Sequence, residues 1–228
     1  MNLGAVKEAP ACGLARAAVA AARNAFGLVE DAELLYGAGR LARAYSLAGL
    51  AVEEVGKADS LAALAAMPGN LRARAPVGRM LEWHQLKLVA GQLTAAVPFS
   101  APGKATRFVT MPLSEVAEIL DKAQAFAEDM DRLKQRGLYV DVDRSGQVRE
   151  PSEVTAAEVR EQLDRAGRAA SAATALLDPG GLALLANPGA AGVEFSRALV
   201  SAFSETGLAR SPEAAADVLR NTAVKLRG

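Results

Sequence analysis

One cysteine, one histidine, one tryptophan and a single isoleucine (Ile119) stand among 228 residues. The lone Cys12 excludes an internal disulfide framework, and one thiol with one imidazole cannot close a Cys/His zinc site, so no metal is expected. Scarce Ile, with only seven Thr, disfavours a large sheet, because strands draw on β-branched residues. Net charge is absent as well: 26 Lys and Arg offset 26 Asp and Glu, which argues against a polycation held to nucleic acid by bulk attraction. The longest uncharged run, Leu88 to Gly103, contains Gln92, Pro98 and Pro102 and is shorter than the roughly 18 to 20 apolar residues of a spanning helix. No membrane segment is expected. Lys7, Glu8 and Arg16 interrupt the apolar N-terminus, which reads as the approach to a helix and not as a signal peptide. A reducing, cytoplasmic setting is the simplest expectation.

What the chain has in excess is alanine, 51 residues, in a composition that is 51% hydrophobic. Ala and Leu are the strongest helix formers, so an all-α fold is expected. Leu14, Ala18, Ala21, Ala25, Leu28, Ala32 and Leu35 recur in steps of three and four, the pattern of one helical face, and predict a helix from about Leu14 to Tyr36. Gly37 and Gly39 interrupt it. Leu41, Ala44, Ala48, Ala51, Val55, Ala58 and Ala62 resume the pattern until Pro68-Gly69, and so short a turn predicts antiparallel packing. A third helix is expected from Pro76 to Pro98 with Val77, Leu81, His84, Leu88 and Ala95 on one stripe. A fourth carries Leu113, Val116, Leu120, Ala123, Ala127, Met130 and Leu133 and ends at Gly137.

Residues 138 to 143 look extended, and Arg144 to Pro151 reads as an exposed turn. Thr155 and Glu158 form a capping-box pattern that opens a helix to about Leu177, with two more helices to follow. The expected organisation is a helical core over residues 13–141, an exposed loop over 142–152 and a C-terminal helical extension packed on the core over 153–228.

Zero net charge conceals two opposed segments. Between Arg72 and Arg107 six basic residues (Arg72, Arg74, Arg79, Lys87, Lys104 and Arg107) face one acid, Glu82. Between Glu115 and Asp131 six acids face one base, Lys122. Such a basic surface can meet phosphates, and it can equally be a solvated, salt-bridged face.

Few residues could carry chemistry. Tyr36-Gly37-Ala38-Gly39-Arg40 imitates a dinucleotide fingerprint but joins two helices where that motif requires a strand, so it is read as a turn. Glu53 and Lys57, four apart with the acid first, have the spacing of a helix-surface pair. Glu54 stands at the edge of the apolar stripe and needs a partner. Gly56 in mid-helix costs about 1 kcal/mol against Ala unless something packs closely against it. His84 falls on the inward stripe, where a hydrogen-bonded core residue is the plain alternative to a catalyst. Arg79 stands five residues upstream, about 140° away around a helix. Lys87 shares the side of His84.

Ala22-Arg23-Asn24-Ala25, Asp31-Ala32-Glu33-Leu34-Leu35, Ala44-Tyr45-Ser46-Leu47-Ala48 and Ala51-Val52-Glu53-Glu54-Val55-Gly56-Lys57 resemble the opening of the AbiV family of abortive infection proteins. Trp83-His84-Gln85-Leu86-Lys87 and Arg136-Gly137-Leu138-Tyr139-Val140-Asp141 are similar to two later segments of that family, in the same order. The likeness covers residues 14 to 141. It implies a HEPN-like antiparallel four-helix bundle with a C-terminal helical extension, and places Arg79 and His84 in the R-x4-6-H motif of HEPN ribonucleases. The implied activity is cofactor-free, metal-independent RNA cleavage that arrests translation during phage infection, by a homodimer that a phage protein could activate. The alternative within the same fold is a non-catalytic module that binds a phage protein, a nucleotide or RNA. Glu53, Glu54, Lys57, Lys87, Tyr139 and Asp141 are implied as supporting or binding residues without settled roles. Met80 departs from the family pattern, which commonly has a polar residue directly after the Arg.

Overall fold

The computed structural model describes residues 8–66, 141–142, 144–149 and 154–176, together with single positions 6, 69, 81, 87, 88, 91, 122, 125, 129, 130 and 138. The fold is all-helical. It is built on three long helices, α1 (Ala11–Gly37), α2 (Leu41–Ala66) and α3 (Ala156–Leu176), with a two-residue ladder of β1 (Asp141–Val142) and β2 (Val148–Arg149) between α2 and α3 in sequence. The expected helices after Leu177, and most of the third and fourth, lie outside the described residues.

Pro10 opens α1 from an extended conformation, and its carbonyl accepts from the N–H groups of Gly13 at 2.9 Å and Leu14 at 3.2 Å. The α1–α2 turn is closed by glycine. Gly39 adopts φ +72, its N–H donates to the Tyr36 carbonyl at 3.0 Å, and the Arg40 N–H reaches back to Leu35 at 2.8 Å. That pair of bonds is a Schellman motif, which satisfies the last carbonyls of α1 and reverses the chain at once. The glycine fingerprint around residue 37 is therefore an interhelical turn.

The reversal sets the packing. Leu14 and Ala18 of α1 meet Leu61, Leu64 and Ala65 of α2, with Val6 and Leu81 completing that end of the core. Further along, Ala21, Ala22 and Ala25 meet Val55 and Ala58, as antiparallel helices require. The α1 stripe is buried at Leu14, Ala18, Ala21, Ala25 and Ala32. In α2 the burial goes beyond one stripe: of its described side chains only Arg43 is exposed. A helix apolar nearly all round belongs in the centre of a bundle.

One reason is α3. Its capping box forms as expected: the Glu158 carboxylate accepts from the Thr155 N–H at 2.7 Å and hydroxyl at 2.6 Å, while Thr155 Oγ1 accepts from the Glu158 N–H at 3.3 Å. Val159, Leu163 and Ala166 then pack with Tyr45, Ala48 and Val52, and Ala169, Ala170 and Ala173 with Val55, Ala58 and Ala25. Thus α3 runs along α2 in the same direction and antiparallel to α1. Arg160 fastens the crossing by ion-pairing with Glu33 at 2.9 Å and lying 4.4 Å over the Tyr36 ring.

Three local expectations are corrected. Leu138 is helical and not part of the extended stretch, which narrows to Asp141–Val142. Gly69 is helical rather than a helix-ending turn. The 144–151 region is the tip of an antiparallel hairpin in which Asp141 pairs with Arg149 and Val142 with Val148, and Gly146 at φ +82 makes its turn. No described helix is long and apolar enough to cross a membrane.

Candidate functional site

The side of α2 that carries Glu53 and Gly56 meets the helical positions Leu81, Lys87, Leu88 and Gly91. Two glycines govern that meeting. A Cβ on Gly56 would stand 1.9 Å from the Lys87 carbonyl oxygen, and one on Gly91 would stand 2.3 Å from the carbonyl oxygen of Val52. Both clashes are with backbone, so neither could be relieved by turning a side chain. The expected cost of glycine inside α2 is offset by a contact that no other residue permits. Because Gly91 meets Val52, Lys87 meets Gly56, and Leu81 packs with Leu61 and Leu64, the 81–91 segment runs antiparallel to α2.

Charge pairs lie on the same seam. The Lys87 ammonium is 3.6 Å from Glu53 Oε2, with 13% and 5% of the two side chains exposed. Lys57 binds both oxygens of Glu54, at 3.0 and 3.2 Å, one helical turn away. The expected Glu53–Lys57 surface pair is therefore corrected. Residue 53 lies inside the α2 packing, so its carboxylate meets a cation from another segment, and the stripe-edge Glu54 takes Lys57. The structure thus joins four of the sequence-selected residues in two pairs, one nearly sealed and one half-buried.

This arrangement also changes the basic patch. Lys87, counted among its six bases, is sealed against an acid and does not contribute to an outward phosphate-binding face. Arg79, His84 and Tyr139 lie outside the described residues. Asp141 is placed in β1, with its backbone paired to Arg149. Leu81 and Leu88, which flank His84 on its stripe, are both buried.

Two features escaped sequence reasoning. The Arg160–Glu33–Tyr36 cluster joins residues far apart in the chain, and no local spacing announces it. Gln162 is buried at the α2–α3 contact, where its amide N–H donates to Met130 Sδ at 3.0 Å. Nearby, burial first, and then the negative field of Glu158, push the Tyr45 phenol up to about 12. Among the described residues, no three His, Cys, Asp or Glu side chains converge as a metal ion would require.

No curated protein and no solved structure matches this chain. The HEPN family model described as AbiV matches residues 13–171, a span that contains both pairs on α2, the R-x4-H segment, the hairpin and most of α3. The chain belongs to the AbiV family of HEPN proteins.

Proposed function

We propose that this AbiV protein is an abortive-infection ribonuclease that cleaves RNA without a metal and arrests translation in infected cells. The observation that carries the reading is the family match, which extends without a break across Arg79 and His84 in R-x4-H spacing. The glycine seam supports it, because it braces the segment bearing both residues against the central helix.

The reaction is transesterification. A neutral His84 imidazole takes the proton of a ribose 2′-hydroxyl, whose oxygen attacks the adjacent phosphorus. A protonated imidazole returns a proton to the departing 5′-oxygen, and Arg79 offsets the charge gathering on the phosphoryl oxygens. One imidazole cannot be base and acid at the same instant. The single histidine therefore leads to a homodimer whose two-fold axis brings two copies of His84 to one cleft.

A second reading has its own support. Burial of Leu81 and Leu88, and the apolar Met80 after Arg79, suit a structural His84 in a non-catalytic module that binds RNA, a nucleotide or a phage protein. One experiment separates the two. Purified protein and the His84→Ala variant are incubated with total RNA in EDTA, and cleavage by the parent alone supports the nuclease. Equal cleavage by both, or none by either, sinks it.

A further inference from the structure

We infer that Glu53 and Lys87 are positioning residues, whose ion pair locks the register of the segment carrying Arg79 and His84 against α2. This role rests on the nuclease reading above and gives two of its unassigned residues a function.

The surface of α2 offers little else to choose one register. Alanine and glycine recur at nearly every turn, at Ala44, Ala48, Ala51, Gly56 and Ala58, and these positions are all buried. Contacts among such small side chains change little when one helix slides a turn along another. Glu53 and Lys87 respond differently. They are charged, nearly sealed from water and 3.6 Å apart in the observed register. A slip of one turn would part them and strand two buried charges, which is far more costly than any change in alanine contacts. The glycine contacts set how closely the backbones approach, and the ion pair sets which turns meet.

A buried pair of this kind adds little to stability over an apolar pair of the same size, and specifying register is its best-attested use. His84 stands three residues before Lys87. A change of register at Lys87 therefore carries the imidazole with it.

The test uses the full chain and the fact that it holds one histidine, whose imidazole C2–H gives one NMR resonance. The neutral pair Glu53→Gln with Lys87→Met keeps side-chain size and removes both charges. The expected result is wild-type helical circular dichroism, a displaced or split histidine resonance and RNA cleavage in EDTA reduced at least tenfold. Exchanging the charges, Glu53→Lys with Lys87→Glu, is expected to restore the resonance and the cleavage. A neutral pair that keeps both the wild-type resonance and the wild-type rate overturns the lock. If the neutral pair loses its helical signal, the exchanged pair decides: a wild-type resonance supports the lock, and an altered one in a folded protein overturns it. Failure of the parent to cleave RNA would reject the nuclease reading instead, while the resonance still tests the lock.

Discussion

The carbonyl oxygen of Lys87 lies 1.9 Å from the point where a Cβ on Gly56 would stand. Any side chain at residue 56 must push the helical segment away from α2. Gly56→Ala is therefore expected to destabilise the protein by roughly 3 kcal/mol, the upper part of the range for overpacked cores, although alanine is the better helix former. Gly91→Ala presses the same seam from the other side, against Val52. Once one substitution has parted the seam, the second meets less resistance, so the double variant should cost less than the sum of the singles. Urea denaturation of the four proteins checks this, and strict additivity would mean that the two glycines act on separate contacts.

The two charge pairs on α2 should behave differently. Lys87→Ala strips a nearly sealed carboxylate of its cation and is expected to cost about 3 kcal/mol. Lys57→Ala breaks a half-buried pair within one helix and should cost less than about 0.5 kcal/mol. The contrast is measured by thermal unfolding at low and high salt, where only the Lys57 pair is expected to weaken with salt.

Much of this architecture was open to sequence reasoning because it is local. The three- and four-residue steps of α1, the glycine turn at residue 39 and the Thr155–Glu158 cap each arise from residues within a few positions of one another. The cost of glycine at residue 56 correctly pointed to a close approach. What local spacing could not supply was the partner. Glu53 and Lys57 have ideal helix-pair spacing, yet residue 53 faces another segment of the chain, and a carboxylate sealed from water takes the cation available there. The same limit hid Arg160 over Tyr36. The central place of α2 was hinted at by small residues on every side of it, a sign that one stripe alone understates.

The cap of α3 carries its own pH dependence. The Thr155 hydroxyl and backbone N–H both donate to Glu158 and hold its carboxyl below the usual carboxylate value. A lowered value in the folded state contributes stability above the ordinary carboxylate pKa, and that contribution is lost as pH falls through the lowered one. Thr155→Ala should cost about 1 kcal/mol at neutral pH, as lost N-caps do. In acid, where Glu158 is protonated in both proteins, the difference should shrink. Denaturation at neutral pH and again below the carboxylate range checks it, and a cost that does not change with pH would count against the cap.

At the alkaline end the titrating group is Tyr45, buried where α2 meets α3. Burial raises its phenol from 10.0 to about 12, with help from Glu158, Asp129 and Glu161 and against the opposing field of Arg165. A raised value in the folded state favours the fold below the ordinary phenol pKa, and the advantage disappears as pH climbs from about 10 to about 12. The loss over that window should be on the order of 2 kcal/mol, since each unit of difference is worth about 1.4 kcal/mol. Tyr45→Phe removes the ionising group and should flatten this part of the stability curve while leaving the ring packed against Leu163. Phenolate absorbance followed with helical circular dichroism is the check: the parent should show a late ionisation step together with loss of helix, and the variant should lack that step. An unchanged late step in Tyr45→Phe would assign the ionisation to another tyrosine.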